Sequence, residues 1–123
     1  MNIQELTQEM HNFVRAMGWY EINSLRPQTL RNLAVSLNLE ASEVLEHFQW
    51  NETPIDPEAL ASELADVALY LLQLASLSGI DLEQALGGAL SGYLARLGRR
   101  DHQEHAGQRP RQHGRVGHGQ GGR

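Results

Sequence analysis

Apolar residues recur at spacings of three and four in four separate stretches of this chain, and no stretch alternates apolar with polar residues over the length of a strand. That period belongs to helices with one buried face, so the chain must fold by packing helices against each other. In residues 2–17 the stripe is Ile3, Leu6, Met10, Phe13, Val14 and Met17, and Gly18 follows as a stop. A second helix enters near Pro27 or Thr29 and runs to about Trp50, with Leu30, Leu33, Leu37, Ala41, Val44 and Phe48 on one side. Asn51 to Pro57 breaks the pattern. A third helix fits Asp56 or Pro57 through about Leu77, with Leu60, Leu64, Val67, Leu71 and Leu74 as its stripe and Gly79 beyond its end. Asp81 is placed to cap a fourth over Leu82 to Leu97, weakened by Gly87, Gly88 and Gly92. The short connections predict an all-α, antiparallel four-helix bundle.

A chain of 123 residues is the size of one domain, with 41% hydrophobic residues. A core of that size is thin, which predicts further burial by self-association. There are no cysteines, so disulfides, thiolate metal sites and cysteine nucleophiles are excluded, in keeping with a reducing, cytoplasmic setting. The first ten residues carry acids and no apolar run, so no signal peptide is expected, and no run of consecutive apolar residues has the length of a membrane span.

Charge divides the chain. Residues 1–97 hold 13 acids and 4 arginines, whereas residues 98–123 hold 6 arginines and 2 acids. An acidic body is not a general nucleic-acid binder and suits cations instead. From Gly98 onward Gly, Arg, His and Gln dominate, which predicts a disordered tail over 98–123. Its histidines, His102, His105, His113 and His118, follow no recognised ligand spacing. At most, the tail's arginines permit salt-sensitive contact with RNA, without sequence preference.

The informative acids form two pairs, Glu40 with Glu43 and Glu63 with Asp66, each spaced i, i+3. At about 100° per residue from Glu40, the stripe lies at about 20° (Leu33), 40° (Val44), 60° (Leu37) and 80° (Phe48). Glu43 stands about 60° to the other side. From Glu63 the same sum places Leu74, Val67, Leu60 and Leu71 at the same four angles, with Asp66 again about 60° away. Taken singly, such acids are what a solvated helix carries. Two copies in matched phase, at the edge of an apolar seam, would repel one another and resist desolvation unless a cation neutralised them. Thiol-free, oxygen-rich ligation points to Mg²⁺, with Mn²⁺ as the alternative. His47, seven residues after Glu40, and Tyr70, seven after Glu63, lie nearly on the same faces and are candidates for the ligand cleft; each also reads as an ordinary helix residue. A di-iron carboxylate bundle would need Glu-x-x-His motifs, which these helices lack.

Glu40-Ala-Ser-Glu43, nineteen residues, then Glu63-Leu-Ala-Asp66 resembles the ExxE and ExxD signature of the all-α nucleoside triphosphate pyrophosphohydrolases, the MazG-like proteins and dCTP pyrophosphatases. Gly18-Trp19, Arg31-Asn32-Leu33, Phe48-Gln49-Trp50, Tyr70 and Gly79-Ile80-Asp81-Leu82 extend the resemblance over about residues 3–86. It implies a helical dimer or tetramer that hydrolyses a nucleoside triphosphate to the monophosphate and pyrophosphate. Glu40, Glu43, Glu63 and Asp66 would hold Mg²⁺, and one carboxylate, Glu43 or Glu63, would act as base. Trp19 and Trp50 match positions near the base pocket, and Arg31, His47, Tyr70 and Arg96 complete the expected substrate contacts. A pyrimidine deoxynucleotide is the preferred substrate, and nucleotide-pool housekeeping the role.

The last helix departs from the family. Ala89 stands where a lysine is expected and Tyr93 where an asparagine is expected, leaving Arg96 to meet phosphate. Family pattern, helix propensity and acidic character fade together, which raises a shifted reading frame beginning between Leu86 and Gly98. The alternative function is a catalytically weakened nucleotide-binding or helical interaction protein with a residual metal site.

Overall fold

The computed structural model describes residues 1–107 and is helical, with no strand among the described residues. Four α-helices follow in order: α1 (Ile3–Ala16), α2 (Leu30–Glu46), α3 (Pro57–Leu77) and α4 (Leu82–Gly107). The chain divides into two compact units, Met1–Gly87 and Gly88–Arg123.

In the first unit, short polar side chains set where each helix begins. Asn2 accepts from the Glu5 N–H at 2.8 Å, Thr29 from the Asn32 N–H at 3.1 Å, Asp56 from the N–H groups of Glu58 and Ala59, and Asp81 from the Gln84 N–H at 3.0 Å. Each satisfies N–H donors that the first helical turn leaves without an intrahelical acceptor. Pro57 stands at the head of α3, where its missing N–H costs nothing. Two helices end on glycines with left-handed backbone: Gly18 (φ 73°) after α1 and Gly79 (φ 70°) after α3.

α3 is the central helix, packed against both α2 and α1. On it Leu60, Glu63, Asp66, Val67, Tyr70 and Leu74 are partly buried, and Leu72, Gln73 and Ala75 are buried. Met10 and Val14 of α1 and Leu33 of α2, at 1% exposure, complete the innermost core. This corrects the expected α3 stripe, because Leu64 and Leu71 are exposed in the single chain. An apolar helix with partners on two sides has no single stripe for periodicity to find. α3 is also the one described helix long and apolar enough to cross a membrane; here it carries Glu63 and Asp66 and packs between two other helices.

Two helix ends also differ from expectation. α2 stops at Glu46 rather than near Trp50, because the N–H groups of His47, Phe48 and Gln49 bond three residues back and tighten the chain into a turn. α4 runs to Gly107, ten residues past Leu97, so residues 98–107 are helical rather than disordered. The inability of that segment to form a core does not prevent a solvated helix, and Arg99, Arg100, Gln103, Glu104 and Ala106 are all good helix formers. The remainder of the expected tail, with His113 and His118, lies outside the described residues. In the second unit the described part is the exposed remainder of α4, on which Arg96 covers the Tyr93 ring at 5.3 Å.

Candidate metal and nucleotide site

The two acidic motifs meet where α2 packs on α3. Glu40, Glu63 and Asp66 are partly buried in that contact, and Glu43 reaches solvent one helical turn on from Glu40. Burial pushes the Glu40 carboxyl above the ordinary carboxylate range. A hydrogen bond with Glu43, and then the negative charges of Glu43, Asp66 and Glu63, push it the same way. Glu40 Oε2 is cut off from solvent with no hydrogen-bond partner, and Glu63 Oε2, also cut off, has the His47 ring nitrogen beside it. A carboxylate oxygen without a partner is expensive to bury, and a cation between the helices would satisfy that of Glu40.

The donor set therefore fits a hard divalent ion in its chemistry: four carboxylates, no thiol, and a buried Glu40 oxygen without a partner. Among the described residues no three His, Asp or Glu side chains close on one point as a finished ligand shell.

His47 caps the C-terminus of α2, and its Nε2 pairs with Glu63 Oε2. Its neighbour is thus one of the acids rather than an open cleft. Trp19 and Tyr70 do come together, since both line two adjoining clefts. One, of about 400 Å³, lies between α1 and α3 and includes Met10, Phe13, Asp66 and Gln73. The other, of about 290 Å³, lies beneath the α1–α2 connection and includes Arg26, Gln28, Asn32 and Ser36. Trp19 is held edge-on by Phe13 at 5.6 Å, and the Arg26 guanidinium lies over its ring at 5.1 Å. An aromatic pair beside Asp66 offers an apolar slot within reach of the acids, the surroundings a nucleobase needs next to its phosphates.

Other expected contacts lie elsewhere. Trp50 is 84% exposed and lines a separate shallow hollow with Phe48 and Asn51. Arg31 is exposed in the first turn of α2, and Arg96 belongs to the second unit. Sequence reasoning missed Gln73, which is 3% exposed, and the hydrogen-bonded pair His11 and Tyr20. A signal existed for Gln73: it is the one amide in the apolar run Leu69 to Ala75.

The MazG-like family model matches residues 35–107, a stretch that runs through both acidic motifs and on through the segment where a frame shift was expected. No curated protein matches the chain. Among solved structures, a pyrophosphatase from Archaeoglobus fulgidus is similar, with 30% sequence identity and a TM-score of 0.60 over 76% of this chain and 89% of that one. The fold, the paired acids in their helices and these two likenesses agree, and the chain belongs to the MazG-like family.

Proposed function

We propose that this chain is a magnesium-dependent nucleoside triphosphate pyrophosphohydrolase, cleaving between the α and β phosphorus with one water to give a nucleoside monophosphate and pyrophosphate. The observation that carries the reading is the buried Glu40 oxygen without a partner, in the field of the negative charges of Glu43, Asp66 and Glu63 at the α2–α3 contact. These four side chains would hold Mg²⁺, or Mn²⁺ in its place. When bound, the ion supplies charge neutralisation for phosphate oxygens and a more acidic water.

Glu43 is the solvent-facing member of the set and the first choice to take a proton from the attacking water, with Glu63 as the other candidate base. Trp19 and Tyr70 receive the base in the cleft next to Asp66. By the family resemblance alone, Arg31, His47, Trp50 and Arg96 are further substrate contacts. A deoxypyrimidine nucleotide, nucleotide-pool housekeeping and a cytoplasmic setting complete the proposal. So does assembly as a homodimer or homotetramer, favoured by the open apolar residues Val35 and Leu39 on α2 and Leu64 and Leu71 on α3.

The test is pyrophosphate release from a panel of nucleoside triphosphates with Mg²⁺ or Mn²⁺, beside Glu63→Gln. Turnover abolished by the substitution supports the reading. A second reading, a metal-binding bundle without turnover, is favoured by Ala89 and Tyr93, where donors to phosphate are expected. It is upheld if no nucleotide is cleaved while Mg²⁺ still raises thermal stability.

A further inference from the structure

Leu25 to Gln28, in the connection that follows Trp19, form one wall of the 290 Å³ cleft, yet apolar side chains do not anchor that stretch, since Ile22 and Leu25 are fully exposed. The connection's backbone N–H bonds are local, Glu21 N–H to the Gly18 carbonyl, Ser24 N–H to the Glu21 carbonyl and Arg26 N–H to Ser24 Oγ, while the Pro27 carbonyl accepts from Asn32 Nδ2 of α2 at 2.9 Å. Side chains tie it to the bundle. Gln73 Nε2 donates to Gln28 Oε1 at 2.8 Å and to Tyr20 Oη at 3.2 Å, which uses both of its hydrogens. The phenol, accepting from Gln73, is left to donate to His11 Nδ1 at 2.6 Å, so His11 Nε2 carries the proton and donates to Ser76 Oγ at 2.7 Å. Gln73 and Ser76 are three residues apart on α3, so the chain of bonds leaves α3, crosses the connection and α1, and returns to α3 one turn later.

An amide buried to 3% exposure within the apolar run Leu69 to Ala75 is costly unless its bonds are made, and leucine at that position would serve packing alone. We propose that Gln73 is a positioning residue for nucleobase recognition. By holding Tyr20 and Gln28 it sets the wall of the cleft that faces Trp19 and Tyr70, and with it the Arg26 guanidinium over Trp19. Trp19 itself is tied to α1 through its N–H to the Val14 carbonyl, so loss of Gln73 loosens one wall and leaves the other in place. The four carboxylates are not part of this ring of bonds.

The proposal rests on the nucleotide reading above, and its test separates the two. Gln73→Leu and the milder Tyr20→Phe are compared with the unchanged chain in three measurements: hydrogen exchange of residues 20–28, the Mg²⁺ concentration that half-maximally raises thermal stability, and kinetics on the best triphosphate. For Gln73→Leu the expected result is exchange in 20–28 faster by about tenfold, an unchanged Mg²⁺ midpoint, KM up by about tenfold and kcat within about twofold, the scale of one buried hydrogen bond. Tyr20→Phe should move the same quantities in the same direction, by less. Unchanged exchange overturns the proposal, as does an equal fall of kcat and kcat/KM. If the unchanged chain cleaves nothing, the hydrolase reading fails by itself. The proposal is then decided by the affinity for an α,β-methylene deoxypyrimidine triphosphate, with tenfold weaker binding to Gln73→Leu upholding it and equal or absent binding overturning it.

Discussion

His47 Nε2 rests against Glu63 Oε2 where the C-terminal end of α2 meets the first half of α3. An imidazole beside one oxygen of a carboxylate restricts that carboxylate and leaves its other oxygen available to a cation, a support that typically changes metal affinity by about 10–100-fold. His47→Leu is therefore expected to raise the Mg²⁺ midpoint of thermal stabilisation by about tenfold, and His47→Gln, which keeps a donor, by less. Titration of both variants with Mg²⁺ in the absence of nucleotide checks this. Equal midpoints in all three proteins would remove His47 from the site.

Glu40 makes the metal-free protein sensitive to pH. Its carboxyl is held above the ordinary 4.5, mainly by burial, so the folded state keeps the proton where the unfolded state has lost it. The associated stability is full below 4.5 and fades as pH rises through the higher folded value. In chelator, thermal stability should fall over that window more steeply for the unchanged chain than for Glu40→Gln, and saturating Mg²⁺ should remove the difference. Parallel pH profiles in chelator would show that Glu40 is not the group responsible.

Leu33 is the most deeply buried side chain, at 1% exposure. Leu33→Ala should destabilise the fold by about 2–5 kcal/mol, the range for a truncated core leucine. Urea unfolding measures it, with an unchanged m-value expected. A loss below about 1 kcal/mol would mean that the α2–α3 contact closes over the gap.

Gly79 ends α3 at φ 70°, and a Cβ built there meets nothing within 4 Å. The penalty of Gly79→Ala is therefore backbone strain without crowding, about 1–2 kcal/mol, and Gly79→Asn should cost less because asparagine tolerates this conformation. Equal stabilities for the two variants would contradict a left-handed cap.

Much of the fold is legible in local chemistry. Thr29, the Asp56-Pro57 pair, Asp81, Gly18 and Gly79 mark helix ends in the sequence because capping is decided by one or two side chains and a single backbone angle. The facing of Glu40 and Glu63 is legible too, since helical phase alone places both on the seam. Burial along α3 was less so. Leu72 and Ala75 are buried while Leu64 and Leu71 are open, a choice made by two packing partners rather than by period. Phe48 and Trp50 suggested a longer α2, but apolar character cannot distinguish a last helical turn from the tight turn after it. The bonds joining Gln73, Tyr20 and His11 depend on three-dimensional proximity and leave only a lone amide in an apolar run as their trace.

α3 carries Asp66 on the charged side of the site and Gln73 beneath the aromatic cleft, so one rigid rod serves both. Their separation of seven residues amounts to about 10 Å along a helix axis. Under the proposed function, that distance would act as a ruler between the acids that meet phosphate and the cleft that receives the base. Loop sequences can change which base is welcome, but inserting or deleting a residue between Asp66 and Gln73 would swing one end of the ruler by about 100° and break the alignment outright.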